Sequence, residues 1–183
     1  MSASRKAVIL DRDGVINFDR PDYVKSTSEF VPIPGSLQAI GRLTESGFRV
    51  FVATNQANIG RGTLSWTTLN DMHAGLRRAL LPLGGCIDEI YVCPHRPEES
   101  CGCRKPRPGM LLRAASDHGL DLSRVWFIGD TASDMAAAEA AGAVGVRLRN
   151  DPDPPGLTNL SFTDLAAAVD ALIASWQRGG VTG

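Results

Sequence analysis

Five short apolar runs rich in Val, Ile and Phe punctuate the chain: Ala7 to Leu10, Arg49 to Ala53, Ile87 to Val92, Val125 to Ile128 and Ala143 to Leu148. Most lack the alternation of a half-exposed sheet, so they read as parallel strands covered on both faces. Between them, apolar residues recur at helical spacing. Leu37, Ile40 and Leu43 share a face from Ser36 to Ser46, with Pro34 and Gly35 before it and Gly47 as its stop. Ser65 is placed to cap a longer helix through Leu81, in which Leu69, Met72, Leu76 and Leu80 align. A third helix starts near Pro108, carries Met110, Leu111 and Ala114, and ends about Gly119. A fourth, alanine-rich, covers Ser133 to Ala141 and stops at Gly142. A last helix from Thr163 to Gln177 follows a segment, Asp151 to Gly156, too rich in proline for regular structure. The order predicts an α/β fold: an open, mostly parallel sheet with helices on both faces. With no repeat and no linker, residues 1–183 are expected to form one domain.

In such sheets ligands bind beyond the carboxyl ends of the strands. The polar residues there are chemically coherent. Asp11-Arg12-Asp13-Gly14-Val15 follows the first strand, and Thr54-Asn55-Gln56 the second. Arg104 and Lys105 follow the third after a loop, and Gly129-Asp130 with Asp134 follow the fourth. A phosphate monoester is doubly anionic and repels a carboxylate nucleophile, so attack by Asp needs a metal ion and fixed cations. Asp11 and Asp130 offer hard oxygen ligands suited to Mg²⁺, and Lys105 a point charge for the transferring group. Asp13 is placed to donate a proton to the leaving oxygen and to take one from water afterwards. The hydroxyl of Thr54 and the amides of Asn55 and Gln56 can contact phosphate oxygens. Asp134 is expected to orient Lys105 or Thr131 more than to bind metal. Asn58 to Gly62 offers either a phosphate cradle or a flexible loop.

The loop before Arg104 carries Cys93-Pro94-His95 and Cys101-Gly102-Cys103. Three thiolates and an imidazole can close a tetrahedral Zn²⁺ site. A closed site has no open position for water, so its expected role is structural: it folds the loop and delivers Arg104 and Lys105 to the sheet. The competing reading is reduced surface thiols. Cys86 stands apart on an apolar stretch and is expected to pack as a small hydrophobe.

These motifs, in this order, resemble those of the haloacid-dehalogenase-like phosphatases. Together with the Cys/His loop, they are similar to the histidinol-phosphatase and heptose-bisphosphate phosphatase branch, over roughly Val8 to Leu148. The resemblance implies a Rossmann-like fold without a large cap domain. It implies Asp11 as nucleophile, Asp13 as acid/base, and Mg²⁺ held by the Asp11 side chain, the Asp13 backbone and Asp130. It further implies that Thr54 and Lys105 steady the phosphoryl group, that Arg104 selects substrate, and that the loop from Asp19 through Arg20 and Asp22 to Tyr23 contacts a sugar. The same loop residues also read as a solvated surface turn. Thr131 departs from the pattern, since some heptose enzymes carry Lys there. The substrate implied is a phosphorylated sugar, a heptose bisphosphate used for cell-surface glycans, with histidinol phosphate as the rival.

Composition trims the alternatives. The 19 basic and 20 acidic residues leave a net charge of −1, so no global field draws the chain to nucleic acid, and a nucleic-acid 3′-phosphatase is disfavoured. A phosphoryl-accepting signalling receiver is disfavoured by Asp13, which would hasten hydrolysis. No signal segment or membrane-spanning run is found, so a cytoplasmic protein is expected, as a monomer. His73 and His118 are expected at the surface, and Trp66, Trp126 and Trp176 in packing.

Overall fold

A computed structural model describes residues 6–149 and 160–179. The proline-rich Asp151 to Gly156 lies outside them. The elements run β1 (Ala7–Leu10), α1 (Ser36–Glu45), β2 (Arg49–Asn55), α2 (Ala57–Gly60), α3 (Trp66–Leu80), β3 (Glu89–Cys93), α4 (Gly109–His118), β4 (Trp126–Gly129), α5 (Ala132–Ala141), β5 (Val144–Leu148), β6 (Leu160–Phe162) and α6 (Leu165–Gln177). All pairings are parallel, in the order β3-β2-β1-β4-β5-β6. The chain therefore works outward from β1 to β3, then returns to lay β4 on the other side of β1. That reversal opens a crevice beyond the carboxyl ends of β1 and β4.

The alternation hidden in the continuous apolar runs is now visible. Val8 and Leu10, Val50 and Val52, and Trp126 and Ile128 face α1, α3 and α6. Ala7 and Ile9, Phe51 and Ala53, and Val125 and Phe127 face α4 and α5. Both faces are buried, so both positions of each strand are apolar. Each fully buried aliphatic side chain contributes about 1.5–3 kcal/mol relative to exposure.

Caps fix the helix starts. The Ser65 hydroxyl accepts from the Thr68 N–H at 3.0 Å, as expected. Helix α5 begins one residue earlier than its alanine pattern, because Thr131 and Asp134 form a capping box. Helix α6 begins at Leu165, later than expected, because Asp164 accepts from the Ala167 N–H at 2.8 Å.

Several expectations are corrected. The sheet gains β6, three residues without an apolar run. Asn58 to Gly62 is not loop throughout, since α2 takes Ala57–Gly60. Cys86 is exposed rather than packed. Trp66 is 49% exposed, whereas Trp126 stacks on Phe162 and Trp176 meets Phe48 edge-on. His118 is half-buried against Phe51, with Nδ1 3.0 Å from an Arg49 nitrogen. His73 is buried. No helix among the described residues is long and apolar enough to cross a membrane.

Candidate active site

The crevice between β1 and β4 gathers the strand-end acids. Asp11 leaves β1 with its N–H donating to the Ile128 carbonyl at 2.8 Å, which ties the nucleophile candidate to β4. Its Oδ1 accepts from the Arg12 N–H at 2.7 Å and lies 2.7 Å from Lys105 Nζ. The same Nζ lies 2.7 Å from Asp134 Oδ1 and donates to the Ala53 carbonyl at 3.0 Å. Lys105 is thus buried with three oxygens within 3.0 Å of its ammonium.

Carboxylate oxygens of Asp11, Asp130 and Asp134 all come within 4.8 Å of one another. Lys105 is their one ion-pair partner among the described residues, contacting Asp11 and Asp134. Three carboxylates facing one ammonium leave about two negative charges uncompensated in a low-dielectric setting. Burial first, opposed by Lys105 and aided by Asp134, pushes the Asp11 pKa up to about 7. Burial and then Asp134 push Asp130 up to about 6. Burial would lower the Lys105 pKa, yet Asp11 and Asp134 outweigh it and hold it above its usual value. Asp130 Oδ1 is buried with no hydrogen-bond partner. An orphaned hard oxygen beside a two-charge deficit fits a divalent cation such as Mg²⁺.

Asp134 is committed elsewhere. Its Oδ2 accepts from the Thr131 hydroxyl at 2.6 Å and the Thr131 N–H at 3.0 Å, while Oδ1 faces Lys105. It therefore orients both residues from the first turn of α5.

Asp13 points along the other wall. Its carboxylate accepts from Arg12 Nη2 at 2.9 Å, Asn17 Nδ2 at 2.8 Å and Gln56 Nε2 at 2.9 Å. Gln56 Nε2 also donates to Thr54 Oγ1 at 2.8 Å, which leaves the Thr54 hydroxyl hydrogen to donate. Asn55 grips the Lys105 backbone from both sides, donating to its carbonyl at 3.2 Å and accepting from its N–H at 3.1 Å. In this structure the Asn55 amide holds the Lys105 backbone, and both Gln56 amide hydrogens go to Asp13 and Thr54.

Asp19 and Tyr23 line a small cavity with Asp13, Asn55, Gln56 and neighbours. Arg20 and Asp22 are exposed and pair with each other at 3.2 Å, and Lys25 joins Asp22 at 2.8 Å. These two residues are not brought to the acids. Arg104 and Lys105 line a separate cleft of about 240 Å³ under the Cys/His loop.

In that loop Cys93, His95, Cys101 and Cys103 converge. The sulfur separations are 3.6 Å for Cys93–Cys101, 3.2 Å for Cys93–Cys103 and 3.5 Å for Cys101–Cys103. His95 Nδ1 lies 3.7 Å from the Cys93 sulfur and 3.2 Å from that of Cys103. A tetrahedron with Zn–S bonds of about 2.3 Å has edges near 3.8 Å, so the donor set fits zinc in kind and in scale.

Known proteins decide the lineage. Residues 102–154 match the HAD-hydrolase-like family model. The chain is 46% identical over 178 residues to D-glycero-beta-D-manno-heptose-1,7-bisphosphate 7-phosphatase of Pseudomonas aeruginosa, covering 93% of this chain and 99% of that one. It belongs to the HAD-like hydrolases. The same-named protein of Pseudomonas putida is 47% identical over 174 residues, covering 92% and 99%. Among solved structures, D,D-heptose 1,7-bisphosphate phosphatase from B. bronchiseptica, complexed with magnesium and phosphate, superposes with a TM-score of 0.86 at 40% identity, covering 92% of this chain and 98% of that one.

Sequence reasoning missed three groups in this HAD-like hydrolase. Arg12, fully buried, carries the fork on Asp13, and Asn17 adds a second donor. Arg107 clamps the loop, donating to the carbonyls of Ser100 and Cys101. An arginine set between two acids was the one available signal for Arg12. Asn17 and Arg107 carried none.

Proposed function

We propose that the chain hydrolyses the 7-phosphate of D-glycero-D-manno-heptose 1,7-bisphosphate through an aspartyl-phosphate on Asp11. The observation that carries the chemistry is the buried Asp11 held 2.7 Å from Lys105 at the crevice that also holds Asp130. The substrate follows from near-full-length likeness to relatives bearing that name.

An Asp11 oxygen attacks phosphorus, and the bond from phosphorus to the sugar oxygen breaks. Asp13 supplies that oxygen with a proton, then takes one from the water that attacks phosphorus and releases Asp11 with inorganic phosphate. Lys105 and the Thr54 hydroxyl hold the equatorial oxygens as charge builds. Asp11, Asp130 and the Asp13 backbone would hold Mg²⁺, which when bound offsets phosphate charge that would otherwise repel Asp11. Arg104, at the edge of its cleft, and Asp19 would meet the rest of the sugar. Cys93, His95, Cys101 and Cys103 would hold a structural Zn²⁺.

The net charge of −1 supports a small-molecule substrate over nucleic acid. The same reading has the enzyme acting as a monomer in the cytoplasm, in heptose supply for cell-surface glycans. Asp11→Asn should abolish phosphate release from heptose bisphosphate while circular dichroism stays that of the wild type. Retained turnover would sink the reading, and preference for histidinol phosphate would move it to the sister substrate.

A further inference from the structure

Arg12 is buried to 1% exposure, so its donors must all be spent inside the protein. Nε lies 3.2 Å from Asp13 Oδ1, and Nη2 lies 2.9 Å from both Asp13 oxygens. The remaining nitrogen, Nη1, meets Nε2 of His73 on α3 at 3.4 Å. A guanidinium cannot accept a hydrogen bond, so Nε2 must be the bare nitrogen of a neutral imidazole. Burial, reinforced by the Arg12 and Arg77 charges, pushes the His73 pKa down to about 4, which keeps that acceptor neutral. The Phe30 ring, 5.6 Å from Arg12 Cζ, bounds the guanidinium further.

Arg12 adjoins Asp13 in sequence, and a long flexible arm rooted there cannot fix its neighbour unless its far end is anchored elsewhere. Besides the Phe30 ring, the polar anchor is His73, 61 positions away and set among the buried Leu69, Met72 and Leu76 of α3. We propose that His73 is a positioning residue: through Arg12 it holds the Asp13 carboxyl where the leaving oxygen receives its proton. This rests on the phosphatase reading above. Loss of the anchor frees the fork, and a misplacement of about 1 Å at an acid/base costs on the order of 100-fold in rate.

The test compares kcat/KM on two phosphate esters. A sugar phosphate leaves as an alkoxide and needs the proton; p-nitrophenyl phosphate leaves as a stable phenolate and hardly does. His73→Phe should lower kcat/KM on the sugar bisphosphate roughly tenfold or more, and on p-nitrophenyl phosphate less than about threefold. His73→Gln, whose amide oxygen can accept from Nη1, should restore the wild-type ratio between the two. If His73→Phe does not fold, Arg12→Lys, which keeps the charge but loses the fork, should give the same skewed ratio. Equal losses on both esters, or a glutamine variant no better than phenylalanine, would overturn the proposal. A wild type that releases phosphate from neither ester would instead overturn the phosphatase reading itself.

Discussion

The hydrogen that Gly14 carries in place of a side chain is what lets Asp130 stand beside Asp11. A Cβ built at Gly14 would lie 2.0 Å from Asp130 Oδ2, and the backbone there sits at φ 79°. Gly129 is held in the same way against Asp134, whose Cβ would be 2.4 Å from an added methyl group. Gly14→Ala therefore has two costs: about 1–2 kcal/mol for a left-handed L-residue, and a displaced Asp130. Since groups that orient a metal ligand are worth about 10–100-fold in affinity, the Mg²⁺ concentration for half-maximal activity should rise by that factor in Gly14→Ala. A metal titration of phosphate release checks it, and an unchanged midpoint would mean that Asp130 is not placed by this contact. The strand-end acids were legible in sequence because each follows an apolar run, and the topology places all such positions along one rim. His73 was not legible. Its helix presents Leu69, Met72 and Leu76 to the core at regular spacing, and nothing in that spacing reveals that a second surface, carrying Arg12, covers the adjacent stripe.

At the scale of elements, the Cys/His loop and β2 share custody of Lys105. Asn55 at the end of β2 holds its backbone from both sides, and Cys103 is two residues upstream. Arg104 donates to the His95 carbonyl at 3.4 Å, and Arg107 reaches the Cys101 carbonyl at 2.7 Å, so both arginines brace the loop. Three thiols and an imidazole form its centre: Cys93 is buried at the end of β3, whereas Cys101 and Cys103 lie on the loop beside Arg104 and only pack against that core. Removing zinc should therefore loosen Arg104 before it disturbs the sheet: KM for the sugar bisphosphate rises severalfold while far-UV circular dichroism is retained. A zinc-free protein with unchanged KM would show that Asn55 and the packing of β2 suffice. The order of these elements was readable because unbroken apolar runs separated by helical spacing leave little but a parallel sheet. What escaped was local: β6 offers only Leu160 and Phe162 to pack, and α2 is a single turn, too short for any periodicity.

At the scale of the whole molecule, the proposed Mg²⁺ dependence is stored as unfavourable charge. Asp11 and Asp130 ionise near 4 when unfolded, but at about 7 and about 6 in the metal-free fold. Between those values the folded chain binds more protons than the unfolded one, so its stability falls as pH rises through roughly 4 to 7 and stays reduced above that window. A divalent cation needs the same carboxylates deprotonated, so protons compete with it. Added Mg²⁺ should thus stabilise little at pH 5 and strongly at pH 8. A ligand at about 100 times its Kd contributes about 2.7 kcal/mol. For a domain of this size that amounts to a Tm increase on the order of 5–10 °C. Thermal melts at the two pH values, in buffer freed of Mg²⁺ without a chelator so that any zinc stays in place, separate this account from its rival. Equal Mg²⁺ shifts at pH 5 and pH 8 would mean that the cation binds away from Asp11 and Asp130. A shift confined to the higher pH would tie folding stability to the charge deficit that also makes Asp11 usable as a nucleophile once the cation is bound.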